Sequence, residues 1–179
     1  MNDGLIPNRY AKALFKFSQE KGDTELVYNE MKRLDAAYDA EKGLKKAVNN
    51  PFLAVDDKLR LLCTATGCEN EGTSARFMEL VISNNRIDYL RPIALAFMKQ
   101  YRELKGIAKV EVVTATALGD DEINAIVDVV REQLGNKTIE LSKRVDNDLI
   151  GGFTVDVDSR VLDASVKSQL EKLRLKLLS

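Results

Sequence analysis

The hydrophobic period of this chain first changes at Gly106, and that change constrains the fold more than any other feature. Before Gly106 the apolar residues recur at helical spacing, with Ile6, Tyr10, Leu14 and Phe17 on one stripe and Val27, Met31, Leu34 and Tyr38 on another. After it they alternate: Val110, Val112 and Thr114 stand against Lys109, Glu111 and Val113, with the β-branched content that suits a pleated surface. A chain of 179 residues is long enough to bury one large core or two modest ones. The change of period predicts two, in an α+β protein: a helical bundle over residues 1–106 and a smaller α+β domain over residues 107–179.

Breakers divide the first half into six helices. Pro7 sits in a first turn that tolerates it, and Asp23 is placed to cap the second helix. A short piece from Leu44 to Val48 ends at Asn49-Asn50-Pro51, and a fourth helix, marked by Leu59, Leu62, Cys63 and Thr66, stops at Gly67. The fifth runs from about Gly72 to Ser83. After a turn at Arg86 to Leu90, Pro92 opens the sixth, which Gly106 ends.

In the second half a strand leads into a helix with Ile123, Ile126, Val127, Val130 and Leu134 on one face and Gly135 at its end. Ile139, Leu141 and Val145 mark a second strand, and Phe153, Val155 and Val157 a third. Asp158-Ser159 reads as a turn and residues 160–163 as a short fourth strand. Val166, Leu170, Leu173 and Leu177 then form the stripe of a closing amphipathic helix.

Charge and composition exclude several function classes. The 27 basic and 28 acidic residues give a net charge of -1, and the two halves carry 17 against 15 and 10 against 13. Neither half has the basic excess of a nucleic-acid footprint. The chain contains no histidine, the commonest general base and metal ligand at neutral pH. No apolar run reaches the roughly 18–20 residues of a membrane span, and the N-terminus lacks a signal-peptide pattern, so a cytoplasmic location is expected.

Four constellations invite a chemical reading and none sustains it. Gly135-Asn136-Lys137-Thr138 resembles the tail of a phosphate loop, but Asn136 separates Gly from Lys, position 130 is valine, and a strand follows where that motif needs a helix. Gly151-Gly152 before a strand reads as a tight turn rather than an anion cradle. Asp146 and Asp148 lie in a turn with nothing predicted to desolvate them as an acid-base pair. Cys63 and Cys68 match no zinc or redox spacing; Cys63 reads as a small core residue. No cofactor, metal or catalytic residue is expected.

Two helices are apolar over too wide an arc. At about 100° per residue, Tyr10, Ala11, Ala13, Leu14, Phe15 and Phe17 cover roughly 200° of the first helix. Ala75, Phe77, Met78, Leu80, Val81 and Ile82 cover roughly 220° of the fifth. A surface helix needs little more than 100°. Either both helices are covered on two sides by the bundle, or a groove between them takes the apolar face of a partner helix. On the second reading the groove residues are Tyr10, Leu14, Phe17, Phe77, Leu80 and Val81.

Several stretches, in order, resemble the delta subunit family of F-type ATP synthases, whose mitochondrial counterpart is the oligomycin-sensitivity-conferring protein. They are Arg9-Tyr10-Ala11-Lys12-Ala13-Leu14-Phe15, Asn84-Asn85-Arg86-Ile87 through Phe97, and Val113 through Leu118. The most specific is Leu149-Ile150-Gly151-Gly152-Phe153 with Val155, Val161-Leu162-Asp163, Ser165 and Gln169-Leu170. Asn85 departs from the family's usual glycine and Asp158-Ser159-Arg160 from its Gly-Asp turn, while the basic residue that commonly follows the Ser-Val pair is here Lys167.

The resemblance implies a non-catalytic, peripheral-stalk component at the cytoplasmic face of a bacterial membrane, attached only through the complex. It further implies a bundle that holds the N-terminal helix of an alpha subunit between its first and fifth helices, and a C-terminal domain that joins the b subunits. Such a part couples proton transport to ATP synthesis by resisting rotation. The readings set against it are a helical adaptor for nucleic acid or another protein, and a carboxylate-dependent hydrolase.

Overall fold

A computed structural model describes residues 4–69, 71–134, 137–157 and 160–178. Six helices precede Gly106 among these residues: α1 (Leu5–Lys21), α2 (Thr24–Ala40), α3 (Leu44–Val48), α4 (Val55–Thr66), α5 (Thr73–Ser83) and α6 (Leu90–Lys105). They are followed by β1 (Ile107–Thr114), α7 (Asp120–Leu134), β2 (Thr138–Val145), β3 (Phe153–Val157), β4 (Arg160–Asp163) and α8 (Val166–Leu178). The protein is thus mixed helix and sheet, with its strands confined to the second part. Gly135, which was expected to end α7, and the expected Asp158-Ser159 turn lie outside the described residues.

The chain divides into two compact units between Tyr101 and Arg102, inside α6 and one turn before the change of period at Gly106. Side-chain partners account for the offset. Tyr101 stacks on Tyr28 of α2 with ring centroids 4.3 Å apart, whereas Arg102 faces Glu140 of β2 at 3.8 Å.

In the first unit Val27, Met31 and Leu34 of α2 are fully buried, together with Leu62 of α4, Met78 of α5 and Ile93 and Phe97 of α6. Polar bonds fix the helices around this core. Arg91 of α6 reaches Asp35 and Asp39 of α2 at 2.7 and 2.6 Å. Arg33 of α2 donates to the Thr66 carbonyl at 3.0 Å, satisfying one of the orphan acceptors at the end of α4.

Asp23 departs from its expected role. It precedes α2 but makes no capping bond, and its carboxylate instead accepts from the Thr73 hydroxyl at the start of α5. Asn85 adopts φ +54, in the left-handed region. Asparagine tolerates that region better than most residues, so it suits the turn that follows α5.

The second unit is built on a sheet in the order β2-β1-β3-β4. β1 and β2 are parallel, with α7 as their crossover, while β1–β3 and β3–β4 are antiparallel. Val110, Val112 and Val155 form its buried centre, and Ile126, Val130 and Leu134 of α7 pack on it with Ile139, Leu141 and Phe153. Val113, expected on the polar face, is buried as well; Val145, expected beside Ile139 and Leu141, is half exposed. The stripe of α8 is also out in solvent, with Leu170 and Leu173 51% and 55% exposed.

Candidate partner-binding groove

The apolar surplus of α1 and α5 divides between the core and a groove. On α1, Ala11 and Leu14 are buried, and Phe15 packs 5.8 Å from the Phe97 ring. On α5, Ala75, Met78, Val81 and Ile82 face the interior. What remains is a groove of about 670 Å³ lined by Tyr10, Leu14 and Phe17 of α1 and Phe77 and Leu80 of α5. The Tyr10 and Phe77 rings meet edge to face, 6.4 Å between centroids, and tie the two helices together.

Five of the six residues expected on the groove therefore line it. Val81 does not: it is 0% exposed and points into the core, because it lies about 100° around α5 from Leu80. Leu80 is the converse case, an apolar side chain 51% exposed in the middle of a helix that otherwise packs well.

Sequence reading missed the charged part of the lining, Arg9, Arg76 and Arg86, along with Ile6, Ala13 and Asn84. The signal was present in the i, i+4 rows, since Arg9 precedes Ala13 and Phe17 on one row and Arg76 precedes Leu80 on the other.

The chemical candidates are occupied structurally. The Asp146 carboxylate accepts from the Asp148 amide at 3.1 Å and caps a single turn over Asn147–Leu149. Cys63 is buried with its sulfur 2.8 Å from that of the half-buried Cys68. Burial first, and the hydrogen bond with Cys68 second, push the Cys63 thiol up to about 12, so it is not the thiolate a nucleophile requires. Gly135 and Asn136 of the loop-like motif lie outside the described residues; Thr138 opens a strand. Among the described residues no cluster of His, Cys, Asp and Glu is placed to hold a metal ion, and no helix is long and apolar enough to cross a membrane.

The sequence matches the family described as ATP synthase delta (OSCP) subunit over residues 6–177. The chain belongs to that family. It is 37% identical to ATP synthase subunit delta of Parabacteroides distasonis over 178 residues, covering 99% of this chain and 98% of the relative. The corresponding subunit of Bacteroides thetaiotaomicron is 35% identical over 176 residues, 97% and 94% of the two chains. A chain in the cryo-EM structure of the Toxoplasma gondii mitochondrial ATP synthase hexamer superposes with a TM-score of 0.74 at 25% identity, covering 97% of this chain and 98% of that one.

A delta (OSCP) subunit is a non-catalytic component of the ATP synthase peripheral stalk, and the adaptor and hydrolase readings lapse with that membership. The stretch most specific to delta chains now has a physical explanation. Gly152 stands at φ +75, and a Cβ there would lie 2.4 Å from the Ala164 carbonyl oxygen. The Gly151 carbonyl accepts from Val166 N, Phe153 O from Ala164 N, and Gly152 O from Ala115 N, at 3.0 to 3.3 Å.

Beside this turn the Asp163 carboxylate accepts from the Ser165 amide at 2.9 Å, and Ser165 Oγ accepts from Ser168 N at 3.2 Å as the N-cap of α8. The hydrogen bonds from the Ser165 side chain and backbone hold Asp163 below the usual carboxylate value. This stretch thus builds the turn from which α8 starts.

Proposed function

We propose that α1–α6 form a six-helix bundle over residues 1–106 whose α1–α5 groove seats the N-terminal helix of an ATP synthase alpha subunit. The α+β domain over residues 107–179 joins the peripheral-stalk b subunits through the exposed side chains of α8. The carrying observation is the groove itself: two helices offer a concave apolar surface that nothing within the described chain covers. A stalk that opposes the torque of the central rotor needs joints that dissociate slowly. Buried aromatic and aliphatic anchors of the kind formed by Tyr10, Phe17, Phe77 and Leu80 provide them.

The chain accordingly acts at the cytoplasmic face of the membrane, held there through the complex. It acts by position alone, as the link between the catalytic head and the b subunits. Removing it from inverted membrane vesicles and adding it back tests this. Proton pumping driven by ATP should vanish and return, while ATP hydrolysis by the released head persists throughout. Pumping that survives complete removal of the chain would contradict the assignment.

A further inference from the structure

The α1–α5 groove carries three guanidinium groups and no carboxylate. Arg9, Arg76 and Arg86 line it beside the apolar side chains, and no acidic residue joins them. None of the three makes a side-chain ion pair or hydrogen bond among the described residues, whereas Arg33, Arg91, Arg102, Arg131 and Arg144 each engage a carboxylate or a carbonyl. Among the described residues, therefore, no carboxylate in the lining counters their charge.

We infer that the groove selects an amphipathic helix whose apolar stripe is flanked by carboxylates, with Arg9, Arg76 and Arg86 as the specificity residues. The inference rests on the groove being the seat of the partner helix. Arg9 stands one turn before Ala13 and two before Phe17, a row about 12 Å long at 1.5 Å per residue. Arg76 stands one turn before Leu80 on the opposing wall, and Arg86 follows the end of α5. A helix laid between the walls meets cations on both sides of its apolar stripe.

The choice of arginine fits that task. Its planar fork pairs carboxylates bidentately, and its methylene stem covers apolar surface while the head stays polar. A lysine-flanked helix would bring like charges together where docking excludes water, and so would be rejected.

Calorimetric titration of the full chain with three 20-residue peptides tests this. The peptides share one leucine stripe and carry Glu, Gln or Lys at the flanking positions. Each rim pair is worth about two- to threefold in affinity, so the Glu peptide should bind about tenfold more tightly than the Gln peptide, and the Lys peptide more weakly than either. The spread should shrink between 50 and 500 mM salt. In the R9E/R76E/R86E variant, its fold checked by circular dichroism, the order should invert; R9Q/R76Q/R86Q should abolish the preference and serves if the charge-reversed chain does not fold.

Equal binding of the Glu and Lys peptides at low salt, with Leu80→Asp still abolishing both, would overturn charge selection and leave the groove standing. Binding that ignores Leu80→Asp, or no binding by any peptide, would overturn the groove and the selection together.

Discussion

Two of the regions that expose apolar side chains differ in shape. On the first unit, Tyr10, Phe17 and Leu80 border a groove of about 670 Å³ with buried Leu14 and Phe77 behind them. On the second, Leu170 and Leu173 stand out along α8, and the cavity under Val161 and Leu162 measures only about 210 Å³. A groove needs two neighbouring helices that each carry more apolar arc than the core can use. A single amphipathic helix with one uncovered stripe offers only a ridge. The first can enclose a partner helix and hold it by buried anchors; the second can only be one side of a flatter contact.

That contrast can be broken at several points. The largest effect is expected at Gly152→Ala, which forces a Cβ towards the Ala164 carbonyl in a left-handed conformation. It should cost about 2–4 kcal/mol in denaturant unfolding. A loss under about 0.5 kcal/mol would mean that the turn does not fix the start of α8. A smaller effect is expected for Leu170→Asp with Leu173→Asp. Because both side chains are about half exposed, the isolated chain should change by only about 0.5 kcal/mol per site, while binding to the b subunits falls at least tenfold. Substantial unfolding would make the stripe of α8 core, and the contrast with the groove would disappear.

The helices and strands were legible because each carries a clean period: α2 keeps Val27, Met31 and Leu34 on one stripe, and β3 keeps Phe153, Val155 and Val157 on one face. Less legible were features set by neighbours distant in sequence. Asp23 lies at a helix start but is drawn to Thr73, fifty residues away. Val81 and Leu80 differ by one position, about 100° around the helix, so the over-wide arc announced a surplus without saying which of them the core would take. The compact units divide one turn before Gly106, and the stacking of Tyr101 on Tyr28, a neighbour distant in sequence, is a contact that no hydrophobic period announces. The arginines were overlooked because an arginine at the edge of an apolar face is ordinarily a solvated boundary, and only the second helix turns that edge into a lining.

Leu80→Asp is the sharpest probe of the groove. The isolated variant should unfold within about 1 kcal/mol of the parent, since the replaced side chain is half in solvent, yet bind an alpha-subunit N-terminal peptide at least a hundredfold more weakly by calorimetry. Unchanged affinity in a folded variant, or loss of the fold itself, would contradict the account of α1 and α5 as a seat for a partner helix.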